Sequence, residues 1–461
     1  TIRDNGFSNY ICKFVIQTSQ HMKLHKPIMA LTAICGLFST SFADIKGIWN
    51  GTLQVTPQVK MRLAFHIPDP QSKPHVITMD SPDQGAYGIE ADVSHLSNDS
   101  VSFSIPRIGM SYTGRIRNNI LTGTFRQGGL SIPLELTPGE VVRNRPQTPQ
   151  PPFPYTTEDI CITNPECKDV TLAATLTLPE NADRKTPLVV MVSGSGLQNR
   201  DEELFGHKPF AVIADYLARN GIASLRYDDR GFAESTGDPA TATTYDNALD
   251  AAAAISHARS DKRFSKVGIL GHSEGGMIAF ILGARKNAPD FIVTMGAPAV
   301  RADSILLYQN RRAMEKSGMP QSMTDDYIEA LGKLLRHKID NPGKKITSDE
   351  MEIFCPGWGA KPVYKELSEA LMKNFGEPKP WIDTFIAINP QETLGKTKVP
   401  MLLLYGAKDT QVPPSLNETP ARRLAPEADI RVYPDLNHPM QHAKTGDLTE
   451  YAEIEETISP E

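Results

Sequence analysis

Between positions 45 and 136 apolar residues fall at every second place. Met61, Leu63, Phe65 and Ile67 make one such run and Val101, Phe103 and Ile105 another, with Gly, Pro, Asn and Asp between them. A period of two broken by turn residues predicts short antiparallel strands with one buried face, arranged as a barrel or sandwich. Beyond position 157 the pattern changes. Runs that are apolar on both faces, at 171–178, 187–192, 222–227, 266–270 and 291–295, alternate with helical spacings at 210–218, 248–258 and 276–283. Strand followed by helix, repeated, predicts a doubly wound, mostly parallel α/β sheet. From 301 to about 390 the strand signal vanishes, and helical spacings such as Ile328, Leu331, Leu334 and Leu335 replace it; strands resume at 399–405 and 430–433. An insertion of that length is far longer than an ordinary loop and predicts a helical lid over the active face.

The change of period marks domains, and 461 residues suit two or three of them. Prolines 146, 149, 151, 152 and 154 favour a stiff, extended segment. The expected layout is a leader at 1–43, an antiparallel β domain at 44–145, a Pro-rich linker at 146–156 and an α/β domain at 157–461. The leader contains an apolar stretch at 28–38, shorter than the roughly 20 residues that span a bilayer. Met22, Lys23 and Lys26 precede it and Ser41 and Ala43 follow, the layout of a secretory signal cleaved after Ala43. A secreted or periplasmic protein, with no stable membrane insertion after signal removal, is expected. In an oxidising compartment Cys161 and Cys167 either bridge a hairpin or stay free beside Cys355; the spacing leaves both open. With 48 Lys+Arg against 54 Asp+Glu, the chain has a formal charge of -6 and no basic field for a phosphate backbone, which argues against nucleic acid as a partner.

The chemistry centres on Gly271-His272-Ser273-Glu274-Gly275, a G-x-S-x-G pattern that composition alone would produce in roughly one of seven or eight chains this long. Its setting raises its weight, because a buried strand precedes it and a helix follows, the strand-turn-helix that a nucleophile elbow needs. A serine hydroxyl needs a base to take its proton and an acid to orient that base, here in the order Ser, Asp or Glu, His. Asp409 closes the strand at 399–405, and His438 lies in the loop after the next strand, with His442 the alternative. An oxyanion hole requires two backbone N–H donors. Glu274, after the nucleophile, supplies one, and Ser195, in the loop Ser193-Gly-Ser-Gly196, supplies the other, with Gly196 next in line. Gly194-x-Gly196 is not a dinucleotide fingerprint, since Asn199 occupies the place of the third glycine. GxxxxGK[ST] and HExxH are also absent, so neither cofactor nor metal is expected.

Three segments, Ser193-Gly-Ser-Gly-Leu-Gln-Asn-Arg-Asp-Glu202, Arg226-Tyr-Asp-Asp-Arg-Gly231 and Gly271-His-Ser-Glu-Gly-Gly276, resemble the α/β-hydrolase superfamily and within it the secreted or periplasmic bacterial acyl esterases. The resemblance covers 157–461. It implies a small-molecule carboxylic ester as substrate and Ser273, Asp409 and His438 as the triad. Asp228, Asp229 and Arg230 match a recurrent segment that reads as a turn held by a salt bridge. Where the superfamily usually has histidine before the oxyanion loop this chain has Ser193, and a final helix expected of relatives is not seen in the ending Ile458-Ser-Pro-Glu461. Gly47-Ile-Trp49-Asn-Gly51-Thr-Leu53 resembles the opening strand of small lipocalin-like β domains. Other readings are a serine peptidase or acyltransferase on the same triad and, in another class, a non-catalytic exported binder of glycans or lipids.

Overall fold

The computed structural model describes residues 45–55, 60–82, 86–140 and 144–461. The signal segment at 22–43 and its cleavage after Ala43 lie outside them. The chain divides into two compact units, one ending at Asn144 and the other beginning at Arg145.

Alternation in the first unit produces eight antiparallel strands: β1 (Gly47–Gln54), β2 (Lys60–Ile67), β3 (Ile77–Ser81), β4 (Ala86–Leu96), β5 (Ser100–Ile105), β6 (Met110–Arg117), β7 (Ile120–Gln127) and β8 (Leu130–Pro138). They close into a barrel, β1 pairing with β8 at Trp49↔Pro138 and Asn50↔Thr137. Closure leaves no open sheet edge. The inward residues include Trp49, Phe65, Phe103 and Tyr112, all buried, with the Phe65 ring 4.9 Å from Phe103 and 5.0 Å from Tyr112. The barrel interior is thus filled by its own side chains, as expected for eight strands.

The second unit is built on one sheet. Its strands are β9 (Tyr155–Thr163), β10 (Thr171–Pro179), β11 (Thr186–Val192), β12 (Ala223–Tyr227), β13 (Phe264–His272), β14 (Ile292–Met295), β15 (Met401–Gly406) and β16 (Asp429–Tyr433). In space the order is β9-β10-β12-β11-β13-β14-β15-β16. β10 runs antiparallel to both of its neighbours, and the other pairings are parallel. The chain therefore leaves β11 in one direction for β12 and returns on its other side to β13. That reversal opens a crevice beyond the carboxyl ends of β11 and β13, where open α/β sheets bind ligands.

Helices α1 (Pro209–Arg219), α2 (Thr244–Ser260), α3 (Glu274–Gly283) and α9 (Pro414–Leu424) belong to the α/β alternation. α2 opens with a capping box: Thr243 Oγ1 accepts from the Asp246 N–H, and Asp246 accepts from the Thr243 N–H. Its alanines at 248, 251, 254 and 258 are buried. α3 is buried along its whole length.

The stretch without strand signal forms α4 (Ala302–Lys316), α5 (Gln321–Asp340), α6 (Ser348–Phe354), α7 (Pro362–Phe375) and α8 (Pro380–Phe385). Leu331, Leu334 and Leu335 of α5 are fully buried and Ile328 packs beside them, as their spacing requires. Lys338 of α5 and Asp383 of α8 form an ion pair at 2.9 Å, with 1% and 7% of the side chains exposed. A short helix, α10 (Leu448–Tyr451), lies near the end of the chain.

The first part of the Pro-rich stretch is anchored on the second unit. The Arg145 guanidinium donates to the carbonyls of Phe205 (2.9 Å), Ala452 (3.0 Å) and Ile454 (2.9 Å). Gln147 donates to the Ile458 carbonyl at 2.7 Å and accepts from the amides of Thr457 and Ile458. Cys161, Cys167 and Cys355 are free thiols. Of the two pairings left open by their spacing, the unbridged one is observed. Among the described residues no helix is long and apolar enough to cross a membrane.

Candidate active site

Ser273 lies between β13 and α3 with φ 53° and ψ -115°, a left-handed geometry that costs a non-glycine residue about 1–3 kcal/mol. Its side chain caps no amide of α3, so helix capping does not account for the serine. A Cβ at Gly271 would overlap the Gly275 carbonyl, and one at Gly275 the Val192 carbonyl. Both glycines are therefore required for the helix to approach the strand this closely. At the end of the neighbouring strand, the Met295 carbonyl accepts the Ser273 N–H at 2.9 Å.

Asp409 follows β15 and His438 follows β16, and the two side chains meet. His438 Nδ1 is 2.7 Å from Asp409 Oδ2, with 5% and 0% of the side chains exposed. The other carboxylate oxygen, Oδ1, accepts the N–H groups of Gln411 and Val412, both at 2.7 Å. Gly296, just past Met295, lies beneath the pair, and a Cβ there would come 2.8 Å from His438 Nδ1. His438 sits on a tight loop in which Asn437 and Gln441 bond to each other through side chains and backbone. His442, the alternative base, is half exposed and bound to Glu456 at 3.0 Å.

A second imidazole–carboxylate pair adjoins the first. His272, next to Ser273, has Nδ1 2.8 Å from Glu202 Oε1 and Nε2 3.2 Å from the His438 carbonyl oxygen; the two imidazole rings are 4.7 Å apart. Burial works against a charge on His272, but the Glu202 carboxylate outweighs it and holds the imidazole above the usual histidine range. A doubly protonated ring suits the geometry, since it can donate to both acceptors. Glu202 Oε1 also accepts the Gly194 N–H at 2.7 Å, which leaves the Ser195 N–H as the next amide of the loop. A side chain at Gly194 would stand 3.2 Å from Ser273 Cβ, so this loop lies directly against the serine. As the first residue of α3, Glu274 has an N–H without an intrahelical partner.

The Asp-Asp-Arg segment holds the same loop in place. Asp228 accepts from the Arg200 amide and guanidinium, both at 2.7 Å, and Asp229 from the Ser193 hydroxyl (2.9 Å) and the Gln198 amide (2.8 Å). Arg230 pairs with buried Asp250 at 2.6 Å. The expected salt-bridged turn is present, and two of its members, Asp228 and Asp229, are bonded to the loop after β11.

Burial pushes the Asp229 carboxyl up to about 8, against the bonds from Gln198 and Ser193. An unfolded aspartate titrates near 3.9, so the folded chain holds the extra proton between about pH 4 and 8. The stabilisation from this group is complete below that window and is lost as pH rises through it. Asp229→Asn copies the protonated carboxyl, with its oxygen toward the Gln198 amide and its NH2 toward Ser193. The Tm of this variant is expected to decline less between pH 5 and 8 than that of the wild type; parallel declines in both would refute the assignment.

Residues 208–323 match a family model described as serine aminopeptidase, S33. Esterase EstD of Thermotoga maritima is 30% identical over 281 residues, which is 60% of this chain and 60% of that relative. The second unit has the α/β-hydrolase fold. The chain spans 60% of the length of the curated relative it matches. Similar solved structures include the Pyrococcus furiosus esterase Pf2001, 16% identical with a TM-score of 0.38, covering 64% of this chain and 89% of that one. Another is Est1E of Butyrivibrio proteoclasticus with ferulic acid bound, 16% identical with a TM-score of 0.40, covering 64% and 95%.

Within the α/β-hydrolase unit, Asp409 and His438 are bonded, and Ser273 is set on the same sheet edge through His272 and Met295. Residues that sequence reasoning missed are Glu202, His272 and Trp381, whose indole N–H donates to the Glu274 carboxyl at 2.9 Å. The first two lie inside the segments quoted above, and only their facing across the fold reveals a pair. Among the described residues no cluster of His, Cys, Asp or Glu is placed to hold a metal ion.

Proposed function

We propose that the protein is a serine hydrolase that cleaves carboxylic esters through an acyl-enzyme. The observation that carries this reading is the buried Asp409–His438 bond of 2.7 Å on the sheet edge that bears Ser273 in its strained turn. His438 takes the proton of Ser273 as the hydroxyl oxygen attacks the ester carbonyl, and Asp409 holds the imidazole in the required tautomer. The oxyanion is received by the amides of Ser195 and Glu274, the latter at the N-terminus of α3. His438 then protonates the departing alcohol. Water, deprotonated by the same imidazole, releases the acid. A general base contributes about 10²–10⁴ in rate and each oxyanion donor about 10²–10³.

The kinship with an esterase supports ester chemistry, and the serine aminopeptidase description of the matching family model keeps peptide hydrolysis as the second reading. A fluorophosphonate probe should label Ser273, and p-nitrophenyl esters should turn over while aminoacyl p-nitroanilides do not. Turnover of the anilides alone would select the second reading, and an unlabelled Ser273 would reject both. The helices of 302–385 serve as a lid in this proposal, and the signal-like segment at 22–43 supports export.

A further inference from the structure

Glu274 is an unusual residue to find next to an oxyanion hole. It is 2% exposed, and its own backbone N–H is one of the two donors proposed to receive a negative oxygen. A carboxyl buried there is costly unless its oxygens are satisfied. Two neutral donors from two parts of the unit satisfy them. The Thr244 hydroxyl, at the start of α2, donates at 2.7 Å. The Trp381 indole N–H, from α8, lies 2.9 Å from Oε1 and 3.1 Å from Oε2.

A residue that offers an oxyanion amide is therefore held through its own carboxyl, and a residue of the helical insertion is one of the two groups that hold it. α8 is fixed on its other side, by Asp383 to buried Lys338 of α5, and the Trp381 ring stacks on Phe385 with centroids 5.1 Å apart. We infer that Trp381 is a positioning residue for the oxyanion hole: its indole N–H orients the Glu274 carboxyl and so fixes the first residue of α3, whose amide is one of the two proposed donors. The inference rests on the esterase reading and adds to it a route by which the insertion acts on the chemistry.

Trp381→Phe keeps an aromatic ring on Phe385 and removes the N–H together with part of the indole's volume, leaving a buried carboxyl oxygen short of a donor. Small displacements of catalytic groups cost up to about 10²-fold. The amides act on the transition state, so the loss should fall on kcat, about 10- to 100-fold, with KM changed less than about threefold. Trp381→Phe and Glu274→Leu interrupt the same connection, and the double variant should lose no more than the worse single one. Ile353→Ser, on the 70% exposed face of α6, should leave kcat unchanged. An unaltered kcat for Trp381→Phe, a loss confined to KM, or losses that multiply in the double variant would each overturn the inference. Should Glu274→Leu fail to fold, the division between kcat and KM for Trp381→Phe decides alone. Wild-type protein inert to esters and to the phosphonate defeats the esterase reading, whereas an active wild type with an unaffected Trp381→Phe defeats the positioning role only.

Discussion

Replacing Ser273 with alanine is expected to lower ester turnover by about 10⁴–10⁶-fold, as seen when a nucleophile that works as one unit with its base is removed. The fold should be indifferent to the change. Ser273 caps no helix amide, and alanine adopts φ 53° at much the same cost as serine. The oxyanion amides and His438 remain, so a residual rate about 10³–10⁴ above water is expected. Turnover by a folded Ser273→Ala variant within tenfold of wild type would exclude Ser273 as nucleophile. Equal Tm values for the two proteins make that comparison meaningful.

Asp409→Asn is expected to cost about 10⁴-fold in kcat, for a reason specific to the way this carboxylate is held. Its Oδ1 faces the N–H groups of Gln411 and Val412, and its Oδ2 faces His438 Nδ1. An asparagine must turn its carbonyl toward the two amides, because an NH2 group there would meet two donors. Its NH2 then faces His438 and obliges Nδ1 to accept. The imidazole proton moves to Nε2, which can no longer take a proton from serine. The variant should bind substrate normally, and a kcat within tenfold of wild type would show that His438 is oriented by something other than Asp409.

How far these features can be read from the sequence differs by kind of interaction. The elbow was legible because glycine spacing, strand and helix all lie within a few residues of Ser273. Asp409 and His438 could be placed because both follow strands, and strand ends in a parallel sheet share one edge. The antiparallel strands of the first unit were visible from their alternation. Barrel closure was not, since it depends on β1 finding β8, and period two looks alike in a barrel and a sandwich. Glu202 and His272 lie 70 positions apart, and Trp381 and Glu274 lie 107 apart. No local pattern records such pairings, because they arise only when the sheet order brings β13 beside the loop after β11 and α8 settles near α3. The cysteines were undecidable for the same reason, as bridging depends on separation in space.

Arg145 and Gln147 give the proline-rich stretch a role that an inert spacer would not have. Gln147 grips residues 457 and 458, whose neighbours Glu456 and Ser459 bond to Gln441 and Met440 on the turn that carries the imidazole. A fragment trimmed to start at 157 would discard the clasp for that tail while retaining Ser273, Asp409 and His438. Excision ahead of Arg145 would preserve it, so a surgical border ten residues upstream of β9 is the one that keeps His438 in register.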